Sequence, residues 1–421
     1  MFRVGRIHRK AMILAASTGL IVFRYPQYRF FWIAAAFSNI GMWALVYATL
    51  WLMHELTASP LLVGLVSTAN LGPVLLFSMM GGAIADRKNR LVILRCTRGM
   101  FATSALLMGV LIGFDQVEAW HVFIISIANG VLLAFDSPAR AAMLPALVPK
   151  EHLASAIVLY SLVFGGAAII GPAFLAPMVG LWGLEAIFFL VGGAYFFTLL
   201  TLMAMESTKH MPIKRAETVV QGMVEGLMFL RDHRIILGVI SLGVIAGIFG
   251  DSIAAVLPFY TDTVLLGEIG AYSKLLFALG IGGLVATTCI ILFNSKIRPP
   301  LFFVGAGISY GMCILTLSRV EGLFEASVCV GLMGASQGIF KTMAVTLVQT
   351  ASPDEFRGRV MSVEQLSWGA TALGGLTIGG MTETWGFGPA LSTGGIVLLI
   401  STCVLAAMFL RERVLMTKAG G

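Results

Sequence analysis

The sequence predicts an all-α polytopic membrane protein in which twelve transmembrane helices form two pseudo-symmetric six-helix bundles. Hydrophobic residues make up 58% of the 421 residues and charged residues only 12%, whereas about 25% of an ordinary soluble domain is charged. The apolar residues form runs of about 20, the length that crosses a bilayer. Nearly all basic residues fall in alternate loops, which indicates that they share one side of the membrane.

The N-terminal segment 1–29 is the first element. It carries several bases around an apolar run from Ala11 to Phe23 that is too short to span a bilayer. We expect a helix at the cytoplasmic membrane surface. A signal-like leader and a misassigned start codon stay open as alternatives, although no clear small-residue cleavage site follows the run.

Apolar runs separated by short turns then place the twelve spans. The charged segment 206–234 predicts a polar linker between the six-helix bundles 30–205 and 235–410, and residues 411–421 predict a tail. The expected spans are 30–53, 61–85, 91–113, 120–139, 154–180, 184–205, 235–260, 271–293, 300–318, 323–346, 360–384 and 388–410.

The basic residues fix the expected topology. When both termini, the even-numbered loops and the linker share one side, that side holds all 28 lysines and arginines except Lys274 and Arg319. Positive charge is retained on the cytoplasmic side, so both termini are expected in the cytoplasm. The five cysteines lie far apart and indicate neither a disulfide framework nor a metal site.

The two halves carry traces of a duplication at an offset of 204 residues. Chance identities between glycine-rich apolar segments are the alternative, but a shared Pro-x-Glu start and a Trp-Gly end favour duplication. The matching residues are Pro149, Glu151, Leu162, Gly165, Ala168 and Gly171, which fall on Pro353, Glu355, Leu366, Gly369, Ala372 and Gly375.

The stretch 81–90, GGAIADRKNR, is the most distinctive motif. It ends an apolar run and places an acid, Asp86, beside several bases. Such a turn can be a positive topology anchor. It can also be a latch, because an acid pairs with bases or caps a helix N-terminus.

This stretch resembles the GxLaDrxGrk signature of the major facilitator superfamily, matched by Gly82, Asp86, Arg87 and Arg90. Asn89 replaces the loop glycine, which Asn tolerates because it enters the left-handed region readily. Within the superfamily the chain is similar to the bacterial efflux group that includes the enterobactin exporter. The stretches that carry this likeness are SNIGMW at 38–43, HELTASPLLVGLV at 54–66, FDSPARAAMLPALVPKEHLASAI at 135–157, IIGPA at 169–173, LPFYTDTVL at 257–265 and RGRVMSV at 357–363.

The resemblance implies a secondary active, proton-coupled exporter of a small, partly apolar molecule, either a siderophore or a drug-like compound, that works by rocker-switch alternating access. It implies a monomer in a bacterial-type inner membrane, with the lipid bilayer, a small-molecule substrate and the proton gradient as partners. An importer or a lipid flippase on the same fold is the alternative. We expect no enzyme, cofactor, metal site or nucleic-acid partner, since the sequence has no nucleotide-binding motif or catalytic cluster.

The resemblance also implies that Asp86 contacts the start of span eleven when the cytoplasmic gate is shut. Asp136 and Lys341 lie at nearly equivalent positions of spans four and ten, which suggests a charged network at that gate, with snorkelling to the membrane surface as the alternative. The predicted gate residues are Gly82, Asp86, Arg87, Arg90, Asp136, Arg140, Lys341, Arg359 and Glu364.

Asp251 lies well inside span seven, where a carboxyl group could exchange a proton with the transport cycle. A hydrogen-bonded structural acid and a position near the outer mouth are equal alternatives. Polar or aromatic residues in spans one, four and ten are candidates to line a substrate cavity, or else they only join helices. These candidates are Asn39, Trp43, Asn129 and Gln337.

Small residues in spans five and eleven predict close helix packing, with bending during alternating access as the alternative. A proline in span five can bend that span. The residues concerned are Gly165, Gly171, Pro172, Gly375 and Gly379.

Overall fold

The structure, a computed structural model, describes residues 20–206, 228–293 and 298–419. Within these ranges all regular structure is helical, which confirms the all-α prediction. Most of the expected N-terminal surface helix and most of the expected linker lie outside the described residues.

Twelve long helices are found in the described ranges. Eleven are long and apolar enough to cross a membrane; the other, Asp354–Trp385, has 32 residues but is rich in glycine and threonine. The helices are α1 (Pro26–Thr57), α2 (Pro60–Arg87), α3 (Arg90–Gly113), α4 (Ala119–Met143), α5 (Leu153–Ala173, continued as Leu175–Trp182), α6 (Leu184–Met203), α7 (Arg234–Ala246 and Ile253–Thr263, joined by the π-helical turn Gly247–Asp251), α8 (Ile269–Phe293), α9 (Pro299–Leu317), α10 (Leu323–Ala351), α11 (Asp354–Trp385) and α12 (Phe387–Ala419).

The loop between α2 and α3 differs from its sequence-based expectation. Asn89 has φ −65° and ψ 113°, an extended conformation rather than a left-handed one. Its side chain accepts a hydrogen bond from the Leu91 backbone N–H at 3.0 Å. Asn is a preferred N-cap residue, so the role of Asn89 in this structure is to start α3.

The helix packing repeats between the first and last six helices. In the first half α2 packs along α4 and α3 along α6, and in the second half α8 packs along α10 and α9 along α12. Between the halves α2 packs along α11 and α5 along α8. Pairing each helix of the first half with the helix six positions later exchanges these two contacts. The structure therefore has the pseudo-symmetry that the sequence predicts.

The two halves meet closely at one end of the bundle. We call the end with the α2–α3 loop the basic end and the other the opposite end. Toward the opposite end a Cβ added at Gly64 of α2 would overlap the Gly375 carbonyl of α11, so the two backbones touch there. Ser273 of α8 donates a 2.7 Å hydrogen bond to the carbonyl of Pro172 in α5. The halves are therefore closed at the opposite end.

Candidate functional site

A central cavity of about 2120 Å³ lies between the halves. It is far larger than an ordinary ligand pocket of roughly 300–1,000 Å³. Helices of both halves line it, mostly with apolar side chains, and it extends to Arg87 at the basic end. The cavity thus reaches the basic end, while the helix contacts described above close the opposite end.

Asp251 and Lys341 form an ion pair in the wall contributed by the second half. The Lys341 Nζ atom lies 2.7 Å from Asp251 Oδ2. Tyr310 donates its hydroxyl to Asp251 Oδ1 at 3.1 Å, and the Gln337 amide donates to the same oxygen at 2.6 Å. We call these four residues the Asp251 cluster. The Asp251 side chain is 13% exposed and that of Lys341 36%, and both open onto the cavity.

The backbone of α7 explains where Asp251 points. The π-helical turn Gly247–Asp251 interrupts α7 and contains two buried glycines. Such turns insert one residue into a helix and occur often at functional sites. Gly250 is needed because a Cβ there would lie 2.5 Å from the Tyr310 hydroxyl oxygen. The turn therefore brings the Asp251 carboxylate and the tyrosine of α9 together.

A second charged group lies in the wall contributed by the first half. Arg98 Nη2 lies 2.6 Å from Asp136 Oδ2, and Arg140 Nη2 lies 3.6 Å from the same oxygen. Thr97 donates to Asp136 Oδ1 at 2.9 Å, and Arg140 donates to the Asn39 side-chain oxygen at 3.3 Å. We call these five residues the Asp136 cluster. All five are buried.

The structure separates the predicted gate residues into these two clusters. Asp136 and Arg140 belong to the first, and Lys341 to the second. Glu364 is 7% exposed and lines a small cavity together with Asp251 and Lys341. The predicted network thus corresponds to two groups, one in each half.

The remaining gate residues lie near the α2–α3 loop. Gly82 and Arg87 line the central cavity. Arg90 donates to the Ala142 carbonyl at 2.7 Å, a contact within the first half. The side chains of Asp86 and Arg359 lie outside the described part of the structure, so the latch between Asp86 and the start of α11 stays a prediction.

The residues predicted to line a substrate cavity occupy two kinds of position. Trp43, Asn129 and Gln337 line the central cavity. Trp43 stacks on Tyr47 with ring centroids 5.7 Å apart, so part of the wall is aromatic. Asn39 is fully buried and contacts Arg140 instead.

The small residues of α5 and α11 lie mostly at close helix contacts. A Cβ at Gly171 would lie 2.9 Å from the Ile40 carbonyl oxygen of α1. One at Gly375 would lie 2.6 Å from the Gly64 oxygen, and one at Gly379 would lie 2.5 Å from the Pro60 oxygen. These three sites place backbones in contact, whereas Gly165 faces the cavity.

Pro172 lies next to the break in α5. The first segment of α5 ends at Ala173, and the second begins at Leu175. Proline removes a backbone donor and bends a helix. The carbonyl of Pro172 accepts the Ser273 hydrogen bond, so this break also joins the two halves.

Sequence reasoning missed several polar contacts. Arg98 is a base inside span three, and that position was a usable signal. Glu383 of α11 accepts hydrogen bonds from the Ser59 hydroxyl at 2.8 Å and the Leu61 backbone N–H at 3.3 Å, both at the start of α2. His54 of α1 lies 3.1 Å from Asp262 of α7. These last two contacts join the halves at the opposite end and have no signature in the local sequence.

Comparison with known families assigns the chain. The family model of the transmembrane secretion effectors, a major facilitator group, matches residues 17–418. The chain belongs to this family. It is therefore a multi-pass membrane transporter and not an enzyme, as the sequence predicts.

Curated relatives place this transporter beside bacterial efflux and siderophore proteins. The staphyloferrin A transporter of Staphylococcus aureus is 22% identical over 386 residues, 89% of this chain and 94% of the relative. The macrolide efflux protein A of Streptococcus pyogenes is 22% identical over 79% of this chain and 83% of its own. The enterobactin exporter of Shigella boydii is 23% identical over 84% of this chain and 85% of its own.

Solved structures show the same fold. A peptide transporter of the POT family covers 91% of this chain and 94% of its own, with a TM-score of 0.75 and 10% identity. A D-xylose–proton symporter covers 90% of this chain and 97% of its own, with a TM-score of 0.71 and 14% identity. These similarities confirm the major facilitator fold of this transporter.

Proposed function

We propose that this transporter is a proton-coupled exporter of a small, partly apolar molecule of the siderophore or drug-like type. The observation that carries the proposal is the Asp251 cluster, a carboxylate–ammonium pair in the wall of a cavity that reaches only one end of the bundle. Intramembrane acids that face a water-filled cavity often mark proton pathways, because the cavity gives the proton a route to and from the carboxylate.

The Asp251 cluster couples protons to transport in the following way. Deprotonated Asp251 holds the Lys341 ammonium by charge and accepts hydrogen bonds from Tyr310 and Gln337. A proton on the carboxyl group cancels its charge and releases the lysine. Because α7, α9 and α10 all contribute to the cluster, this change loosens contacts among three helices of the second half.

Alternating access follows from contacts at the opposite end. The α2–α11 backbone contact at Gly64 and the Glu383 contacts to the start of α2 hold that end closed. Rocking of the halves breaks these contacts and brings the basic ends of the helices together, where Asp86 then acts as the latch. The protein works as a monomer, because one chain contains both halves.

The distribution of basic residues gives the direction of transport. The basic end carries the loops that the positive-inside rule places in the cytoplasm, in a bacterial-type inner membrane. The cavity therefore loads from the cytoplasm, and the proton enters from the other side. The names of the curated relatives, which include an enterobactin exporter and a macrolide efflux protein, support export rather than import.

Inside-out membrane vesicles provide the test. We expect vesicles with an acidic lumen to accumulate at least one of enterobactin, staphyloferrin A and a labelled macrolide, and a protonophore to abolish this accumulation. Asp251→Asn should abolish it too. The matched control is Asp115→Asn, because Asp115 is exposed and its φ of 54° suits Asn.

Two outcomes would contradict the proposal. Accumulation only in right-side-out vesicles would indicate an importer. Movement of a fluorescent phospholipid between leaflets, without accumulation of any of the three probes, would indicate a lipid flippase.

A further inference from the structure

We infer that the Asp136 cluster is an anion-binding subsite of the central cavity, and that the transported molecule carries a carboxylate or a similar anionic group. The inference rests on the proposed function and names the class of its substrate. It starts from the charges in the cavity wall. Among the described residues that line the cavity, bases exceed acids by two. They are Arg87, Arg98, Arg140 and Lys341 against Asp136 and Asp251.

The positive charge inside the bundle is concentrated in the Asp136 cluster. In the second half, Asp251 and the buried Glu364 both lie beside Lys341, and Arg87 lies exposed at the basic end. In the Asp136 cluster one carboxylate faces two guanidinium groups, both on the same oxygen. Arginine stays protonated in proteins, so the cluster carries one positive charge that no residue of the cluster balances.

The two arginines are held very differently. Arg98 forms the short 2.6 Å contact to Asp136 and lies over the rings of Phe101 and Tyr195, each at 5.6 Å. Among the described residues, Arg140 has longer contacts, one of 3.6 Å to Asp136 and a 3.3 Å hydrogen bond to Asn39. Arg98 is therefore a fixed part of the wall, and Arg140 is the group with capacity for a further anion.

A buried guanidinium with long contacts is costly for the protein alone. Moving a charge out of water is unfavourable unless it is paired and hydrogen-bonded. Arg140 is 9% exposed, lines the cavity and carries five N–H donors. A carboxylate entering the cavity would accept two of these donors in the bidentate geometry that arginine favours.

The rest of the cavity wall suits the body of such a molecule. Trp43 lies edge-on to Phe164 with ring centroids 5.9 Å apart, and both residues line the cavity. Aromatic faces bind planar apolar groups through dispersion and stacking. The subsite therefore fits an amphiphilic anion whose charged group contacts Arg140 and whose apolar part packs against this wall.

Two dyes that share a xanthene ring system provide the test. Carboxyfluorescein is anionic and rhodamine 6G is cationic. We expect the purified protein in lipid nanodiscs to bind carboxyfluorescein more tightly by fluorescence anisotropy. Arg140→Gln should weaken this binding about tenfold, the effect of one lost charge-assisted contact, and leave rhodamine 6G binding within about twofold. Lys150→Gln is the matched control, since it removes an exposed charge outside the cavity.

A second variant tests the same inference if Arg140→Gln fails to fold. Arg140→Lys keeps a positive charge beside Asp136 and removes the planar fork that binds a carboxylate in bidentate geometry. We expect it to bind carboxyfluorescein more weakly than the unmodified chain. Equal carboxyfluorescein binding by the unmodified chain and the folded Arg140 variants, or tighter binding of rhodamine 6G by the unmodified chain, would overturn the inference.

Transport of the two dyes separates this inference from the proposed function. If acid-loaded inside-out vesicles accumulate rhodamine 6G but not carboxyfluorescein, export stands and the anion subsite fails. The opposite result is that carboxyfluorescein binding depends on Arg140, but acid-loaded vesicles accumulate neither dye and none of the three earlier probes. In that case the subsite stands and proton-coupled export fails.

Discussion

Asp136 in the first half and Asp251 in the second are carboxylates in the wall of one cavity, yet their surroundings differ. Asp136 is fully buried between two guanidinium groups, whereas Asp251 pairs with one ammonium that is 36% exposed. The clusters use equivalent helices, α1, α3 and α4 in one half and α7, α9 and α10 in the other. The acid, however, comes from α4 in the first and from α7 in the second. The two halves thus carry a polar cluster on equivalent helices, but the clusters differ in their chemistry.

This difference suggests a division of labour. The two arginines stay charged and hold the Asp136 carboxylate in a fixed position. Lys341 is a flexible side chain that opens onto the cavity, and Tyr310 and Gln337 are neutral, so Asp251 has a weaker and more mobile charge partner than Asp136. We therefore expect the first half to hold the substrate and the second half to carry the proton.

The largest expected effect is on stability. Asp136→Ala would leave two buried guanidinium groups without their carboxylate, and breaking such a pair costs about 3–5 kcal/mol. Asp251→Ala should cost clearly less, because water in the cavity can hydrate Lys341. Thermal unfolding of the two purified variants measures the difference. Equal loss of stability would show that the two clusters do not differ as described.

A smaller effect is expected at the contact between the halves. A Cβ at Gly64 would overlap the Gly375 carbonyl, so Gly64→Ala should separate α2 from α11 and open the opposite end. Maleimide labelling of a Leu61→Cys reporter, whose side chain lies against Gly380 of α11, should rise severalfold from that side. Gly72→Ala is the control on the same helix, because a Cβ there meets nothing within 4 Å. Equal labelling of both variants would contradict a closed α2–α11 contact.

The sequence predicted the helices well because hydropathy is a local property. Each span shows as a run of apolar residues, and the offset between the halves already placed Asp136 near the equivalent of Lys341. The side chains that contact Asp136 and Asp251 could not be predicted from the sequence. The count of basic residues assigned Arg98 to the basic end of the bundle. The structure places it about 12 Å inside α3, eight residues after Arg90.

The π-helical turn and the contacts between halves are outside the reach of local patterns. Nothing in the sequence around Gly247–Asp251 distinguishes a π-helical turn from a regular one. Likewise, Glu383 looks like an acid of an outer loop, and only the packing of α11 on α2 brings it to Ser59. Such contacts depend on the rotation and tilt of whole helices, which tertiary packing sets.

The smallest expected effect concerns Glu383. Its carboxylate lies at the N-terminus of α2, where a negative charge contributes about 0.3–1 kcal/mol. Glu383→Gln should therefore raise Leu61→Cys labelling by only about two- to fivefold. Glu325→Gln is the control, since this exposed acid lies in the first turn of α10 within one half. If the reporter is labelled equally in Glu383→Gln and in this control, the Glu383 carboxylate does not hold the opposite end closed.

Substrate-coupled proton movement in proteoliposomes tests the division of labour most directly. A pH-sensitive dye in the lumen reports proton flux when a transported probe is added to the unmodified chain, Asp251→Asn or Asp136→Asn. We predict coupled flux for the unmodified chain and for Asp136→Asn, and none for Asp251→Asn. Flux that persists in Asp251→Asn and is lost in Asp136→Asn would contradict the assignment of the proton to the second half.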